Sequence, residues 1–263
     1  PGLYLDHIFQ YKYSLAAGVS AAVLPYGNVH DGTVDLGNAQ NTAQGGCAFI
    51  QGGVGFNPVR AKWRAFLDEH AELLEGGRPM AEVAVLYRFE ELVLENLTHQ
   101  TWVHQITRYL SDQHVLFSLV TDSQLYPGGL DAYRALLIPQ ARFMSDVQIE
   151  AVLQFAKSGG TVVLIGDSAT HDPLARPRKR PGFERLAAKA KPHRHGVSTS
   201  KDGRLIVAQD PEGLIGRLGL SREQALRFAT YSQASINVPY GSAGIVYHLD
   251  RLIGVDRFLD PGE

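Results

Sequence analysis

Residues 134–167, RALLIPQARFMSDVQIEAVLQFAKSGGTVVLIGD, carry the pattern that decides the fold. Residues 135–138 are one apolar run and residues 161–165 another, the second rich in β-branched side chains. A strand apolar on both faces belongs in a parallel sheet covered by helices on each side. Between the runs, Ser145 is placed to cap a helix, because its hydroxyl can accept from a free N–H of the first turn. Val147, Ile149, Val152, Leu153 and Phe155 then form its core-facing stripe. Lys157, Ser158, Gly159 and Gly160 end it, since lysine suits the negative helix terminus and glycine accepts a left-handed backbone. The result is a βαβ unit with a right-handed crossover.

The same grammar extends outward. Residues 81–87 and 114–120 predict strands, with a helix over 101–110 between them. Residues 204–210 predict a late strand and 211–218 a helix. Alternation of this kind over residues 79–225 implies one doubly wound α/β domain. Residues 1–78 are different, being rich in Gly, Asn and Gln. They predict a helix over 8–17 ending at Gly18, an apolar segment 20–27, a polar loop 28–41 and a second apolar segment 47–50. An amphipathic helix follows Pro58, with Val59, Trp63, Phe66, Leu67 and Leu73 available for one face. Helix, strand, loop, strand, helix suits the closing units of a (β/α) barrel. Residues 226–263 change again, to short alternating segments that predict the first strands of a β domain.

With 263 residues, a formal charge of −2 and 44% hydrophobic content, the chain can build a large core and more than one domain. No run of 18 apolar residues occurs, so no membrane span is expected. Residues 1–13 lack the basic and apolar pattern of a signal peptide, and the compartment stays open. A start at Pro1 points to a piece of something longer. The single Cys47 excludes an internal disulfide and a multi-cysteine metal site. His99 and His104 stand five apart and do not share a helical face, so neither a metal nor any other cofactor is expected.

Several segments match one family in order. Residues 56–87, FNPVRAKWRAFLDEHAELLEGGRPMAEVAVLY, resemble the join after the catalytic barrel in glycoside hydrolases related to the family 42 β-galactosidases. Residues 136–167 resemble the second domain of those enzymes, a flavodoxin-like, class I glutamine-amidotransferase-like α/β trimerisation domain. Residues 171–188, HDPLARPRKRPGFERLAA, are similar to the segment that follows, and 235–250, SINVPYGSAGIVYHLD, to the opening of its C-terminal β domain. The resemblance implies the end of a (β/α)8 barrel over 1–78, the trimerisation domain over 79–225 and a partial β domain over 226–263. It implies a carbohydrate substrate in the parent enzyme and a homo-oligomer, a trimer.

The chemistry of that family needs two carboxylic acids about 5 Å apart. The first glutamate here is Glu69, and ahead of that helix stand only Asp6, Asp31 and Asp35. The catalytic pair is therefore expected to be missing from this chain. Tyr26, Asn28, His30 and Asp31 follow one apolar segment and Gln51 the next. As loops at the carboxyl ends of barrel strands, by the resemblance, they would line the sugar site. An amidotransferase needs a nucleophilic cysteine at a strand-to-helix elbow, and Cys47 stands outside the α/β region. Ser168, His171 and Asp172 are sequence neighbours, a poor start for a triad built from separate loops. Residues 176–195 hold eight Lys and Arg against Glu184 alone. Few aromatics accompany them, which favours a solvated loop or subunit contact over nucleic acid. Two rivals remain: a stand-alone, non-catalytic carbohydrate-binding or interaction protein with a degenerate amidotransferase-like domain, and a hydrolase or transferase working at the Ser168–Asp172 loop.

Overall fold

The computed structural model of the chain describes residues 8–19, 42, 58–74, 80–112, 115–192, 197–202 and 204–208. The chain divides into two units, Pro1–Met80 and Ala81–Glu263. In the first, helix α1 (Ile8–Ala16) buries Ile8, Tyr11 and Lys12, an i, i+3, i+4 stripe. Burial pushes the Lys12 ammonium down to about 8 and the Tyr11 hydroxyl up to about 12. Gly18, at φ +70°, ends the helix. Helix α2 (Pro58–Glu69) opens on proline, whose missing N–H is no loss at a first helical position. After it comes α3 (Ala71–Leu74). The α2 face is more open than its sequence suggests. Trp63 and Leu67 are half-buried, and Phe66 stays 42% exposed, edge-on to both Trp63 and His70 instead.

The second unit is an α/β fold around a seven-stranded sheet. Its elements are β1 (Val83–Leu86), α4 (Phe89–Val93), α5 (Leu97–Asp112), β2 (Phe117–Val120), β3 (Ala135–Pro139), α6 (Asp146–Lys157) and β4 (Thr161–Ile165). There follow α7 (Glu184–Ala187), β5 (Lys191–Pro192), β6 (Val197–Thr199) and β7 (Leu205–Ala208). The order across the sheet is β2-β1-β3-β4-β7-β6-β5. The first five strands are parallel, and β6 and β5 add antiparallel. From β1 the chain moves one way to β2, and from β3 the other way to β4. Right-handed crossovers therefore set α5 and α6 on opposite faces.

The central βαβ unit forms as its sequence dictates. Ser145 Oγ accepts from the Gln148 N–H at 3.3 Å, and Gln148 Oε1 accepts from the Ser145 N–H at 2.8 Å, closing a capping box. At the other end Gly160 N–H donates to the Phe155 carbonyl and Gly159 N–H to that of Ala156, with Gly159 at φ +101°. That pair of bonds is the Schellman closure. Ile149, Val152 and Phe155 are buried against Leu136, Ile138, Val162, Leu164 and Leu205. Val147 departs from the expected stripe, being 62% exposed. Two residues before Ile149 is about 200° around a helix of 3.6 residues per turn, which turns it to solvent. The small antiparallel strands β5 and β6 were not anticipated, because residues 176–195 show charge and proline rather than alternation. The sequence-predicted helix at 211–218 and the β segments at 226–263 lie outside the described residues.

Candidate functional site

Open α/β sheets bind ligands beyond the carboxyl ends of their strands, where the strand order reverses. In this sheet the reversal falls between β1 and β3. Each neighbouring strand delivers a polar residue there: Arg88 two positions after β1, Asp122 two after β2 and Gln140 directly after β3. Arg88 and Asp122 engage one another, while among the described residues Arg88 Nη1 and the Gln140 side-chain Oε1 are buried without a hydrogen-bond partner. Arg88 Nε donates to Asp122 Oδ1 at 2.6 Å, and Gln148 Nε2, from α6, donates to the same oxygen at 2.7 Å. Glu91, fully buried at 0% exposure, accepts from the Phe143 N–H at 2.8 Å and from Asn96 Nδ2 at 2.6 Å. Arg88 Nη1 stands 3.6 Å from its carboxylate. Asn96 Nδ2 also donates to the Gln140 carbonyl at 2.9 Å. Thus α4 is tied to the loop after β3 across the mouth of the crevice.

His99 completes the closure from α5. The Arg88 backbone N–H can only donate, so His99 Nε2 accepts at 3.0 Å and the ring proton sits on Nδ1, donating to the Pro139 carbonyl at 2.5 Å. The Tyr87 ring stacks on the imidazole. Burial pushes the imidazole down to about 4, against the pull of the Pro139 carbonyl, so it is neutral at pH 7. With both ring nitrogens engaged, His99 has none to offer a metal. Among the described residues no group of three or more His, Cys, Asp and Glu is placed to hold one. At the rim, the Glu90 carboxyl is held above its usual range, first by a hydrogen bond with Asp122 and then by burial.

The loop after β4 runs beside this crevice. Its tip, Gly166, has φ +66°, a strand-to-turn geometry without a side chain to act as nucleophile. Ser168 is 7% exposed, and its Oγ has no hydrogen-bond partner. His171 Nδ1 pairs with Thr170 Oγ1 at 2.9 Å. Asp172 Oδ1 accepts from the Leu174 and Arg176 N–H groups, both at 2.9 Å, which holds its carboxyl below the usual range, the Arg176 bond first. Ser168, His171 and Asp172 therefore form no triad. Part of the basic segment is structural as well. Arg178 pairs with Asp146 at 2.6 Å and donates to the Met144 carbonyl at 2.7 Å, fastening this loop to the start of α6.

The sequence-predicted sugar-site residues Tyr26, Asn28, His30, Asp31 and Gln51, and also Cys47, lie outside the described residues. Sequence reasoning missed Arg88, Glu91, Asn96, His99, Asp122 and Gln148. One signal existed: a charged or amide residue within two positions of three separate apolar strands, which a parallel sheet must gather at one edge.

No protein-family model and no curated protein sequence matches the chain. Solved structures do. A β-galactosidase from Bacillus circulans sp. alkalophilus matches over 100% of this chain with a TM-score of 0.71 at 14% identity. The chain spans half of that protein, 50% of its length. The polyextremophilic β-galactosidase from the haloarchaeon Halorubrum lacusprofundi matches 73% of this chain (33% of its own) with a TM-score of 0.52 at 15% identity. A catalytic mutant of Gan42B, a GH42 β-galactosidase from G. stearothermophilus, matches 67% (30% of its own) with a TM-score of 0.50 at 18% identity. These are likenesses of fold, and the fold they share is that of GH42-type β-galactosidases, the family whose segments this sequence resembles.

Proposed function

We propose that this chain is a segment of a β-galactosidase-like glycoside hydrolase whose α/β domain is structural and supports oligomerisation. The observation that carries this reading is the self-filled switch-point crevice. Arg88, Glu91, Asn96, His99 and Asp122 bond to one another and to the backbone where such sheets otherwise bind ligands. The parallel order β2-β1-β3-β4-β7 matches the flavodoxin-like order and supports a flavodoxin-like, class I glutamine-amidotransferase-like domain over residues 79–225. In this reading residues 1–78 end a (β/α)8 barrel and 226–263 begin a C-terminal β domain. The parent enzyme acts on a carbohydrate, with Tyr26, Asn28, His30, Asp31 and Gln51 lining its sugar site and both catalytic carboxylates outside this chain.

Two measurements on the purified chain test it: turnover of p-nitrophenyl β-D-galactoside, and mass by light scattering. The expected results are no hydrolysis and a mass of three 28.8 kDa copies. Turnover, or a 28.8 kDa monomer at micromolar concentration, contradicts the reading. A second reading, a non-catalytic carbohydrate-binding or interaction protein, draws on Gly166, an elbow tip without a nucleophile. A sugar bound tightly by a monomeric chain favours it.

A further inference from the structure

Among the described residues, the β4–β7 crossover leaves a gap in the helical cover of the sheet. A parallel sheet is normally shielded on both faces by helices. The β3–β4 crossover supplies three turns, α6, whereas among the described residues 166–204 the α-helix is only the four-residue α7, with an antiparallel β5–β6 pair. Between α6, α7 and the start of β7 lies a cleft of about 320 Å³. Its floor is apolar, made of Leu153 and Ala156 from α6, Val162 from β4, Leu186 from α7 and Leu205 from β7. The volume falls at the lower end of the small-molecule range, about 300–1,000 Å³.

Four cations edge the cleft: Lys157, Arg185, Lys189 and Arg204. Arg185 and Lys189 belong to the basic segment, and unlike Arg178 they show no side-chain hydrogen bond among the described residues. Among the described residues Lys157, Arg185 and Lys189 make no ion pair. Two acids face them. Glu150 is exposed, and Asp202 already accepts from Ser200 Oγ at 2.5 Å and from the Arg204 N–H at 3.2 Å. Arg204 lies over Gly159, where a Cβ would meet its Nη1 at 2.7 Å. The glycine thus lets the guanidinium lie across the end of α6, at the cleft's edge. Cationic charge exceeds acidic charge around an apolar floor, so the arrangement complements an apolar body bearing an anionic group.

We propose that this cleft binds a small amphiphilic anion, one carboxylate, sulfonate or phosphate group on an apolar body, independently of the sugar site of the parent enzyme. The body rests on Leu153, Ala156 and Leu186, and the anionic group faces Arg185, Lys189 and Arg204. The site stands on the α/β unit alone and does not depend on the glycosidase reading.

The test uses octanoate as the probe, titrated calorimetrically into the full chain, with octanol as its uncharged counterpart. The expected result is saturable one-to-one binding of octanoate and at least tenfold weaker binding of octanol. Losing a charge-assisted contact is worth about tenfold in affinity, so Arg185→Glu and Lys189→Glu should each weaken octanoate by about that factor. Ala156→Phe, which fills the floor without changing charge, should abolish binding, with circular dichroism verifying its fold. Lys179→Glu, an exposed cation outside the cleft, should leave binding unchanged. No saturable binding by the full chain overturns the proposal. So does equal weakening by Lys179→Glu, or octanol bound as tightly as octanoate.

Discussion

The βαβ unit Ala135–Ile165 and the crevice beside it are held by different forces. In the unit, apolar side chains four or fewer positions apart share a helix face, and two local motifs close its ends. In the crevice, buried polar bonds tie residues up to 52 positions apart, from Asn96 and Glu91, five apart, through His99 and Arg88, 11 apart, to Phe143 and Glu91 at the far extreme. The difference teaches where the chain spends its polar groups. Breaking a cap exposes a group to water, which satisfies it at little cost. Breaking a buried pair strands its partner without water, a penalty several times larger. Here most of these groups are paired and lock α4 and α5 onto the sheet, with Arg88 Nη1 and Gln140 Oε1 left without a hydrogen-bond partner among the described residues.

The largest effect separating the two regions is expected at Glu91. Glu91→Ala removes the carboxylate beside Arg88 Nη1 and leaves the Phe143 N–H buried without its acceptor, and should cost about 3–5 kcal/mol in urea unfolding. A cost below about 1 kcal/mol would put the crevice on the same footing as the caps.

His99 sharpens the contrast through pH. Its folded value of about 4 lies below the ordinary 6.5, so the unfolded chain takes up the proton first as pH falls. Its contribution to stability is therefore fully present above pH 6.5 and declines between pH 6.5 and 4, by about 3 kcal/mol at about 1.4 kcal/mol per pH unit. Denaturation midpoints measured across that window should fall in the native chain and flatten in His99→Gln.

Within the βαβ unit the effects shrink. A Cβ at Gly160 would stand 2.3 Å from the Phe155 ring, so Gly160→Ala should cost about 2 kcal/mol by overpacking, read as a lower midpoint at unchanged m-value. Ser145→Ala removes the N-cap acceptor and should cost about 1 kcal/mol. Val147→Ser, on the solvent side of α6, should stay within about 0.5 kcal/mol, and a larger loss would restore Val147 to the core stripe.

That gradation also explains what the sequence made legible. Strand β4 and the caps of α6 could be read in place, because a hydroxyl at Ser145 and glycines at 159 and 160 act on neighbours within a turn. The face of Val147 was misjudged because a run of five apolar residues was counted without its angular spacing. Glu91 and His99 were invisible as a site, since nothing local distinguishes a buried carboxylate or imidazole from a solvated one on a helix. Their partners arrive from Pro139 and Phe143, more than 35 positions away, only after the sheet has assembled. The hairpin β5–β6 was hidden for a similar reason: two- and three-residue strands carry too few side chains for a period to show.

The account turns on the crevice being closed, and amide hydrogen exchange at Arg88 and Phe143 tests that most directly. Each N–H donates to a buried side chain of the network, His99 Nε2 and Glu91 Oε1. The account predicts that both exchange only through global unfolding, with the same free energy as the central strands β3 and β4 and the same denaturant dependence. Exchange of either amide through a low-energy local opening, while β3 and β4 stay protected, would contradict it and make the switch point a gated binding site.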